Sequence, residues 1–581
     1  MIFCTVLLLV EFNIDESGYE CYYNIKTIKQ QGADLMKKTY AAMAAAAAAS
    51  IALLAGCTSG SNDTDPIDKV NTESTAAEST DDLPSSEHEP IKAIYAEIRT
   101  EFNEALDLSD YPLSPNEAPA DLSLTFEAED AVLEGSCKVA EGADFSGGAY
   151  VSGLNGGKDR IKFTVDIEYP GMYDLDFICR SGDSKRENYV YINDVCAGNI
   201  VCNSDGKIVD SLMQGIYFEK GTYEIALAPS WGYVDYDCLK ISASSVITDK
   251  TYNIEAELSN KNADEHTKSL YKFLCDIYGK YSLTGQFADK GRLSTELKQI
   301  NKATGKDFAV LGLDMMDYSS ANQAYGAKGN SVEFAYDWYV NAGGIVQMCW
   351  HWNSPEEYAI NDDAHPWYGS FYAESSNIDL DKIMNGEDER GYELLMADID
   401  NIADQLGRLR DEGVPVIWRP LHEASGGWFW WGDCKPESYK KLWTTMYDKM
   451  TNEHDLTNLI WMWNGQSEDW YPGDEYVDII AWDIYQGNHV YTSFAGTFAR
   501  AVQCSEQGKL VALSENGCVM DPDNVMHDNA RWLFWGTWAD PFTISKGLLN
   551  EEYTEKEMLD KAYNHDRTLT LDELPDLKEY K

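Results

Sequence analysis

Between residues 265 and 550, short apolar runs alternate with segments whose apolar positions recur every three or four residues. Eight of the apolar runs have the length and composition of buried strands: Tyr281–Gln286, Phe308–Asp314, Gly344–Trp352, Pro415–Glu423, Asn458–Asn464, Val477–Tyr485, Leu510–Gly517 and Leu533–Trp538. Most segments between them are amphipathic, Leu394 to Leu409 being an example. Strand–helix alternation repeated over about 280 residues predicts a (β/α)8 TIM barrel. Upstream, from 124 to 244, the period falls to two. Ile161–Val165, Tyr173–Ile178, Tyr189–Ile192 and Tyr223–Leu227 read as strands, with turn signals at Asn155-Gly156-Gly157, Tyr169-Pro170-Gly171 and Asn193-Asp194. That spacing predicts a β-sandwich in front of the barrel.

The N-terminal pattern is different again. Lys37 and Lys38 precede an apolar stretch from Ala41 to Leu54 that runs into Leu54-Ala55-Gly56-Cys57. A basic start, an apolar core and small residues at the cut describe an export signal. Its ending resembles a bacterial lipoprotein signal, which implies a lipid anchor on Cys57 and an extracellular position on a bacterial surface. The expected division is an upstream extension over 1–35, with translation starting at Met36, and a signal over 36–57. An acidic linker over 58–120 follows, with helical spacing from Ile91 to Leu106, then the sandwich over 121–245 and the barrel over 246–581. The tail from Leu569 to Pro575 is expected to cap the barrel.

Charge narrows the partners. The net charge is −52, and such a field repels nucleic-acid phosphates and anionic lipid. No nucleic-acid partner is expected, and no membrane contact beyond the anchor. A neutral ligand or a bound cation fits better, and the 17 Trp and 36 Tyr supply flat rings on which sugars stack, although most must pack the core. Thirteen cysteines leave ten once Cys4, Cys21 and Cys57 are set aside. Cys137, Cys179, Cys196, Cys202 and Cys238 lie in the β-rich region and five lie beyond it, so neither region can pair all its own. No CxxC pair and no His at metal-ligand spacing occur, so neither a disulfide framework nor a zinc site organises the fold.

FEAED (Phe126 to Asp130), FSGGAYVSGL (Phe145 to Leu154), PGMYDLDF (Pro170 to Phe177), YVYIND (Tyr189 to Asp194) and DYDCLKI (Asp235 to Ile241) resemble carbohydrate-binding modules of families 6 and 35. The resemblance implies a jelly-roll sandwich and a structural Ca²⁺ on Glu127, Glu129 and Asp237. A hard cation wants several carboxylate oxygens, so the ligand set is chemically sensible. Trp231 and Tyr233 stand before the last strand and either form a sugar platform or pack the sandwich.

In a (β/α)8 barrel the chemistry sits at the C-terminal ends of the strands. The polar residues there are His351, His422, Glu423, Asn464, Tyr485 and Glu515. Glu423 ends the fourth strand and Glu515 the seventh, on opposite sides of one mouth. Two such carboxylates are what a glycosidase needs, one protonating the leaving oxygen and one attacking the anomeric carbon. Many barrels carry Glu at strand ends, so the spacing alone leaves other chemistries open.

WRPLHEASGGWFWWG (Trp418 to Gly432) closely resembles the acid/base strand of family-26 glycoside hydrolases, most of them endo-β-1,4-mannanases. TGQF (Thr284 to Phe287), GGIVQMCWHW (Gly343 to Trp352), VDIIAWDIY (Val477 to Tyr485) and LSENG (Leu513 to Gly517) agree in order. The resemblance implies Glu423 as general acid/base and Glu515 as nucleophile. It implies that His422 contacts sugar hydroxyls on the nucleophile side, and that Arg419 and Tyr485 hydrogen-bond to Glu515 and hold it ionised. His351 matches a substrate-contacting His, Trp428 an aromatic beside the cleavage point, and Trp535 a platform under the sugar in the −1 subsite, with Trp532 and Trp538 close by.

The expectation is a monomeric, retaining endo-β-1,4-mannanase acting on mannan, glucomannan and galactomannan, with no cofactor for the chemistry and calcium only in the sandwich. Its rivals are another activity of the same family, β-1,3-1,4-glucanase or β-1,3-xylanase, and a glycan-binding surface lipoprotein with an inert barrel.

Overall fold

The computed structural model describes residues 88–581 except 95–96, 104–105 and 183–184, and omits the side chain of Trp231. The extension, signal, Cys57 anchor and most of the acidic tether lie outside the described residues.

The sandwich consists of β1 (Ser123–Glu127), β2 (Val132–Glu134), β3 (Lys138–Glu141), β4 (Ala149–Ser152), β5 (Arg160–Ile167), β6 (Gly171–Ser181), β7 (Arg186–Ile192), β8 (Val195–Cys202), β9 (Val209–Phe218), β10 (Gly221–Trp231) and β11 (Val234–Ala243). One sheet runs β3-β4-β11-β6-β9 with β1 also on β11, and the other runs β2-β5-β10-β7-β8. All pairs are antiparallel, so each strand turns alternate residues inward; Phe163, Val165, Leu175, Phe177, Ile225, Leu227 and Leu239 are buried between the sheets. The four strands expected from the period-two pattern fall on β5, β6, β7 and β10.

Eight parallel strands then close a barrel: β13 (Gly285–Phe287), β14 (Val310–Asp314), β15 (Ile345–Cys349), β16 (Val416–Arg419), β17 (Leu459–Trp463), β18 (Ile479–Ile484), β19 (Leu510–Asn516) and β20 (Trp535–Thr537), joined at Gln286 and Thr537. Each overlaps one expected run. The first run splits at Thr284, because β12 (Ser282–Leu283) leaves the barrel to pair with Thr568–Leu569 near the chain end. That pairing, with the bonds from Thr284 N–H to Leu569 O and from Leu571 N–H to Asp307 O, makes the tail the cap expected of it. The helix Glu389–Asp411 shows how the amphipathic segments work. Asp388 caps it by accepting from the Gly391 N–H, and Leu395, Ile399, Ile402, Leu406 and Leu409 turn one stripe inward.

Two expectations about the linker change. Residues 88–118 are not a free tether, and the helical spacing of Ile91 to Leu106 does not produce a helix among the described residues. His88 lies against Asp404 and Asp411, Ile91 is buried, and the Arg99 guanidinium donates to the carbonyls of Leu571, Asp572 and Leu574. The barrel's own groups take the hydrogen bonds a helix would have kept to itself, and the segment is an extended strap. The sandwich also docks directly: Gly215 lies against Ala499 and Gly496 against Met213, positions where an added Cβ would come within 3.1 Å and 2.9 Å. No helix among the described residues is long and apolar enough to cross a membrane.

Candidate active site

The strand Val416–Arg419 is wholly buried, and Arg419 at its end is the barrel's central cation, 0% exposed. Its Nη1 donates to Asp483 Oδ2 at 2.9 Å, and its Nη2 pairs closely with Glu515 Oε1. The other oxygen of Glu515 accepts from the Tyr485 hydroxyl at 2.5 Å. Two donors, one at the end of β16 and one just beyond β18, therefore fix the carboxylate of Glu515 in one orientation.

Beyond Arg419 the backbone leaves the strand through two left-handed residues, Leu421 (φ 50°) and Glu423 (φ 55°). Such conformations cost a non-glycine residue on the order of 1 kcal/mol or more each. Asn464, at the end of β17, offsets this by accepting the Glu423 N–H on its carbonyl at 2.7 Å and on Oδ1 at 3.2 Å. The turn delivers the Glu423 side chain to the mouth, where the exposed Trp428 ring donates its Nε1–H to Oε2 at 2.9 Å. Oxygens of Glu423, Asp483 and Glu515 all lie within 4.8 Å of one another.

Glu423 and Glu515, crowded beside a third carboxylate, hold their protons tightly. Burial, reinforced by the Asp483 and Glu515 charges, pushes Glu423 well above the usual carboxylate range. Burial and Asp483 also push Glu515 up to about 7, against the pull of Arg419 and the Tyr485 hydroxyl. The expectation that these two donors keep Glu515 low is thus met only in part. They are in place, but Asp483, a residue sequence reasoning passed over, works against them. Asp483 also accepts from Asn464 Nδ2 (2.8 Å) and Ser514 Oγ (2.7 Å), which ties strands β16 to β19 together beneath the site.

His422 is buried, with Nε2 3.2 Å from His351 Nε2; His351 in turn places Nδ1 2.6 Å from Asp314 Oδ2. Burial, with Arg419 and His351 nearby, pushes His422 well below its ordinary value, so its imidazole is neutral. Asp314, at the end of β14, is therefore the partner that orients His351. Trp430 and Trp431 are buried wall, their Nε1–H groups spent on the carbonyls of Trp352 and His422.

The expected platform Trp535 is misplaced. Its ring is 1% exposed and meets Tyr563 of the helix Lys556–Tyr563, on the outer side of the barrel wall. Trp538, three residues on, is half-buried, packs on Phe287 at 4.5 Å between ring centroids and stands 5.8 Å from His351. The alternation of a strand decides this: a run of closely spaced tryptophans reads alike in sequence, but its members leave the backbone on different sides.

In the sandwich, Glu127 and Asp237 bring carboxylate oxygens within 4.8 Å of each other at the β1–β11 pair. Burial and the Glu127 charge raise Asp237 above the usual range, and a Glu129 oxygen is buried without a hydrogen-bond partner. Glu129 lies over the same turn, where a Cβ on Gly147 would come within 2.7 Å of its Oε1. The Ser146 N–H and hydroxyl already donate to Asp237 and Glu127. Crowded hard oxygens with one unpaired fit a divalent cation of the calcium type. Tyr233 is 42% exposed beside this sheet.

A closed barrel with buried carboxylates at its C-terminal mouth, behind an antiparallel sandwich, defines a modular glycoside hydrolase. Residues 259–573 match Glycosyl hydrolase family 26, and residues 124–244 match Carbohydrate binding module (family 35). A Thermothelomyces thermophilus protein named mannan endo-1,4-beta-mannosidase is 35% identical over 462 residues, 79% of this chain and 92% of that protein. Mannan endo-1,4-beta-mannosidase B of Piromyces is 33% identical over 78% of this chain and 77% of its own length. Among solved structures, a GH26-CBM35 β-(1,4)-mannanase of Podospora anserina superposes with a TM-score of 0.55 at 33% identity, covering 79% of this chain and 99% of that one. A ruminal GH26 endo-β-1,4-mannanase gives 0.56 at 27% identity, over 78% and 99%. The chain belongs to glycosyl hydrolase family 26 and carries a family 35 carbohydrate-binding module in front of its catalytic barrel.

Proposed function

We propose that this protein is a retaining endo-β-1,4-mannanase that cleaves internal linkages of mannan, glucomannan and galactomannan. The observation that carries this reading is the pairing of Glu423 and Glu515 across one mouth, with oxygens within 4.8 Å, each held by different donors. A nucleophile and an acid spaced by about 5 Å suit double displacement rather than inversion, which needs room for a water between them. The relatives named mannan endo-1,4-beta-mannosidase support mannan as the substrate.

The roles follow from the contacts. Glu515, oriented by Arg419 and Tyr485, attacks the anomeric carbon while Glu423 protonates the departing oxygen. As Glu515 becomes an ester its negative charge disappears, so the repulsion that raised Glu423 falls and Glu423 is left as the carboxylate that deprotonates the incoming water. Neutral His422, with His351 beside it, offers hydrogen bonds to sugar hydroxyls on the nucleophile side. Trp428 lines the subsite next to the scissile bond, and Trp538 takes the −1 platform role first assigned to Trp535. Arg419 is the only Lys or Arg among these groups, so the site offers none of the cationic lining a polyuronate would need, and a neutral polysaccharide suits it.

Calcium, held by Glu127, Glu129 and Asp237, would neutralise charge in the sandwich and take no part in hydrolysis. We place the chain as a monomer outside a bacterial cell, anchored through Cys57. The deciding experiment follows hydrolysis of defined manno-oligosaccharides by ¹H NMR. The β-anomer should appear first, from internal cleavage. First appearance of the α-anomer, or release only from glucan or xylan, would overturn the assignment.

A further inference from the structure

The two sheets of the sandwich meet at one end through two buried thiols. Cys179 lies near the end of β6 in one sheet and Cys202 ends β8 in the other. Both are buried, at 0% and 2% exposure, and the two thiols lie close enough to interact with each other. Two serines repeat the pairing two residues further on: Ser181 Oγ and Ser204 Oγ are 3.2 Å apart, the Ser181 N–H donates to Ser204 Oγ at 2.7 Å, and Ser204 Oγ donates to the Ser181 carbonyl at 2.9 Å. Ser181 Oγ also reaches the Cys202 carbonyl at 3.4 Å. These bonds tie the ends of the two strands together two residues beyond the thiols.

We infer that Cys179 and Cys202 form a disulfide that staples the two sheets when the chain folds in an oxidising compartment. The structure holds the reduced pair. Of the two, Cys202 is the nucleophile: it accepts from the Cys179 S–H and lies against the Ser181 and Ser204 hydroxyls, which favours its thiolate, whereas burial and the partner sulfur raise Cys179. With a small disulfide such as oxidised glutathione as oxidant, the Cys202 thiolate attacks one sulfur and expels a glutathione thiolate. Cys179 then loses its proton and attacks Cys202 Sγ, expelling the second glutathione. Two thiol protons pass to two glutathione thiolates, and one disulfide is exchanged for another. Buried sulfurs leave no room for the mixed disulfide in the closed sandwich, so the exchange belongs to folding, before the sheets close.

Two other cysteines of the sandwich face different partners. Cys196 Sγ faces Gln486 Oε1 at 3.6 Å, and Cys238 lies beside Glu127 and Asp237 at the other carboxylate cluster.

The test refolds the full chain from denaturant with a glutathione redox couple, and separately with a reductant. Free thiols are then alkylated under denaturing conditions before peptide mapping without reduction. The expected result is a Cys179–Cys202 cross-linked peptide and a thiol titre lower by two in the oxidised sample. The unfolding midpoint should fall on reduction by on the order of 10 °C, since the bond closes a loop of about two dozen residues. Cys202→Ser should remove both the cross-link and the redox dependence of the midpoint. Both thiols alkylated after oxidative refolding, or either linked to another cysteine, would overturn the inference. Peptide mapping of the unsubstituted chain decides the question even if the variant fails to fold.

Discussion

The Tyr485 hydroxyl donates to Oε2 of Glu515 at 2.5 Å while Arg419 pairs with Oε1, so the two oxygens of one carboxylate are claimed from opposite sides. This leaves Glu515 one orientation, and it sets a direction for the proton equilibrium. Both donors favour the carboxylate against burial and the nearby Asp483.

Removing the hydroxyl therefore has a signed consequence. Glu515 must be ionised to attack, so activity is lost as pH falls through its value, which lies at about 7 in the free protein. Tyr485→Phe removes a contribution that lowers that value. The acid limb of kcat/KM should move to higher pH, and the rate at the optimum should fall by about 10- to 100-fold, as for loss of a hydrogen bond to a charged group. A pH–rate profile checks both. An acid limb that stays put, or moves down, would place the ionisation elsewhere.

Glu515→Ala and Glu423→Ala should differ in how they fail. Without the nucleophile, hydrolysis should fall by on the order of 10⁴-fold or more for every substrate, while mannan binding through the sandwich persists. Without the acid, polysaccharide hydrolysis should fall by about 10²- to 10⁴-fold, but an aryl mannoside whose leaving group needs no proton should still form the covalent intermediate. Stopped-flow release of the aryl group separates the two variants. Equal losses on both substrates would refute the division of roles.

The architecture was legible because burial leaves a periodic trace. Eight strand runs and the inward stripe of the helix Glu389–Asp411 follow from apolar spacing alone, and strand-end polar residues such as Glu423, Asn464 and Glu515 stand out against that background. Contacts made across the fold left no such trace. Asp483 reads in sequence as one acidic residue in an apolar strand, and only the closed barrel sets it under both glutamates. The strap from His88 onward kept helical spacing while its hydrogen bonds went to barrel residues hundreds of positions away.

The tryptophans at the start of the last strand and just beyond its end make a paired prediction. Trp538 stands at the mouth and Trp535 behind the wall, so their alanine variants should fail differently. Trp538→Ala should raise KM or lower kcat on manno-oligosaccharides with little change in thermal midpoint. Trp535→Ala should destabilise by about 3–5 kcal/mol, as for a large buried ring, with near-normal turnover in the fraction that remains folded. Calorimetry and steady-state kinetics on the two proteins settle which ring carries the sugar.

Calcium should act on stability alone. A ligand that binds only the folded state adds about 2.7 kcal/mol at a hundredfold excess over its dissociation constant. Added Ca²⁺ should raise the unfolding midpoint and a chelator should lower it, with turnover of short oligosaccharides unchanged at a temperature where both forms are folded. Asp237→Asn should abolish the response while retaining the Ser146 contact through its amide oxygen. A calcium-dependent kcat would contradict a structural role.

Glu423 offers the sharpest test of the electrostatic picture, because its catalytic placement costs stability. Its folded value lies well above its unfolded one, so the folded state binds its proton more tightly. The sign then follows from linkage: its contribution is fully present below about pH 4.5 and is lost as pH rises toward the raised folded value. Above that window an ionised Glu423 must share a buried volume with Asp483 and Glu515. Glu423→Gln removes this charge and leaves an amide oxygen for the Trp428 Nε1–H. The variant should lose polysaccharide hydrolysis and yet be more stable than the parent at pH 8, by about 1 kcal/mol, with the gain vanishing at pH 4. Thermal melts of both proteins across that range measure it. A variant that is less stable at every pH would mean that Glu423 is held by its contacts rather than strained by its neighbours, and the raised proton affinity that suits it to act as the acid would lose its physical cause.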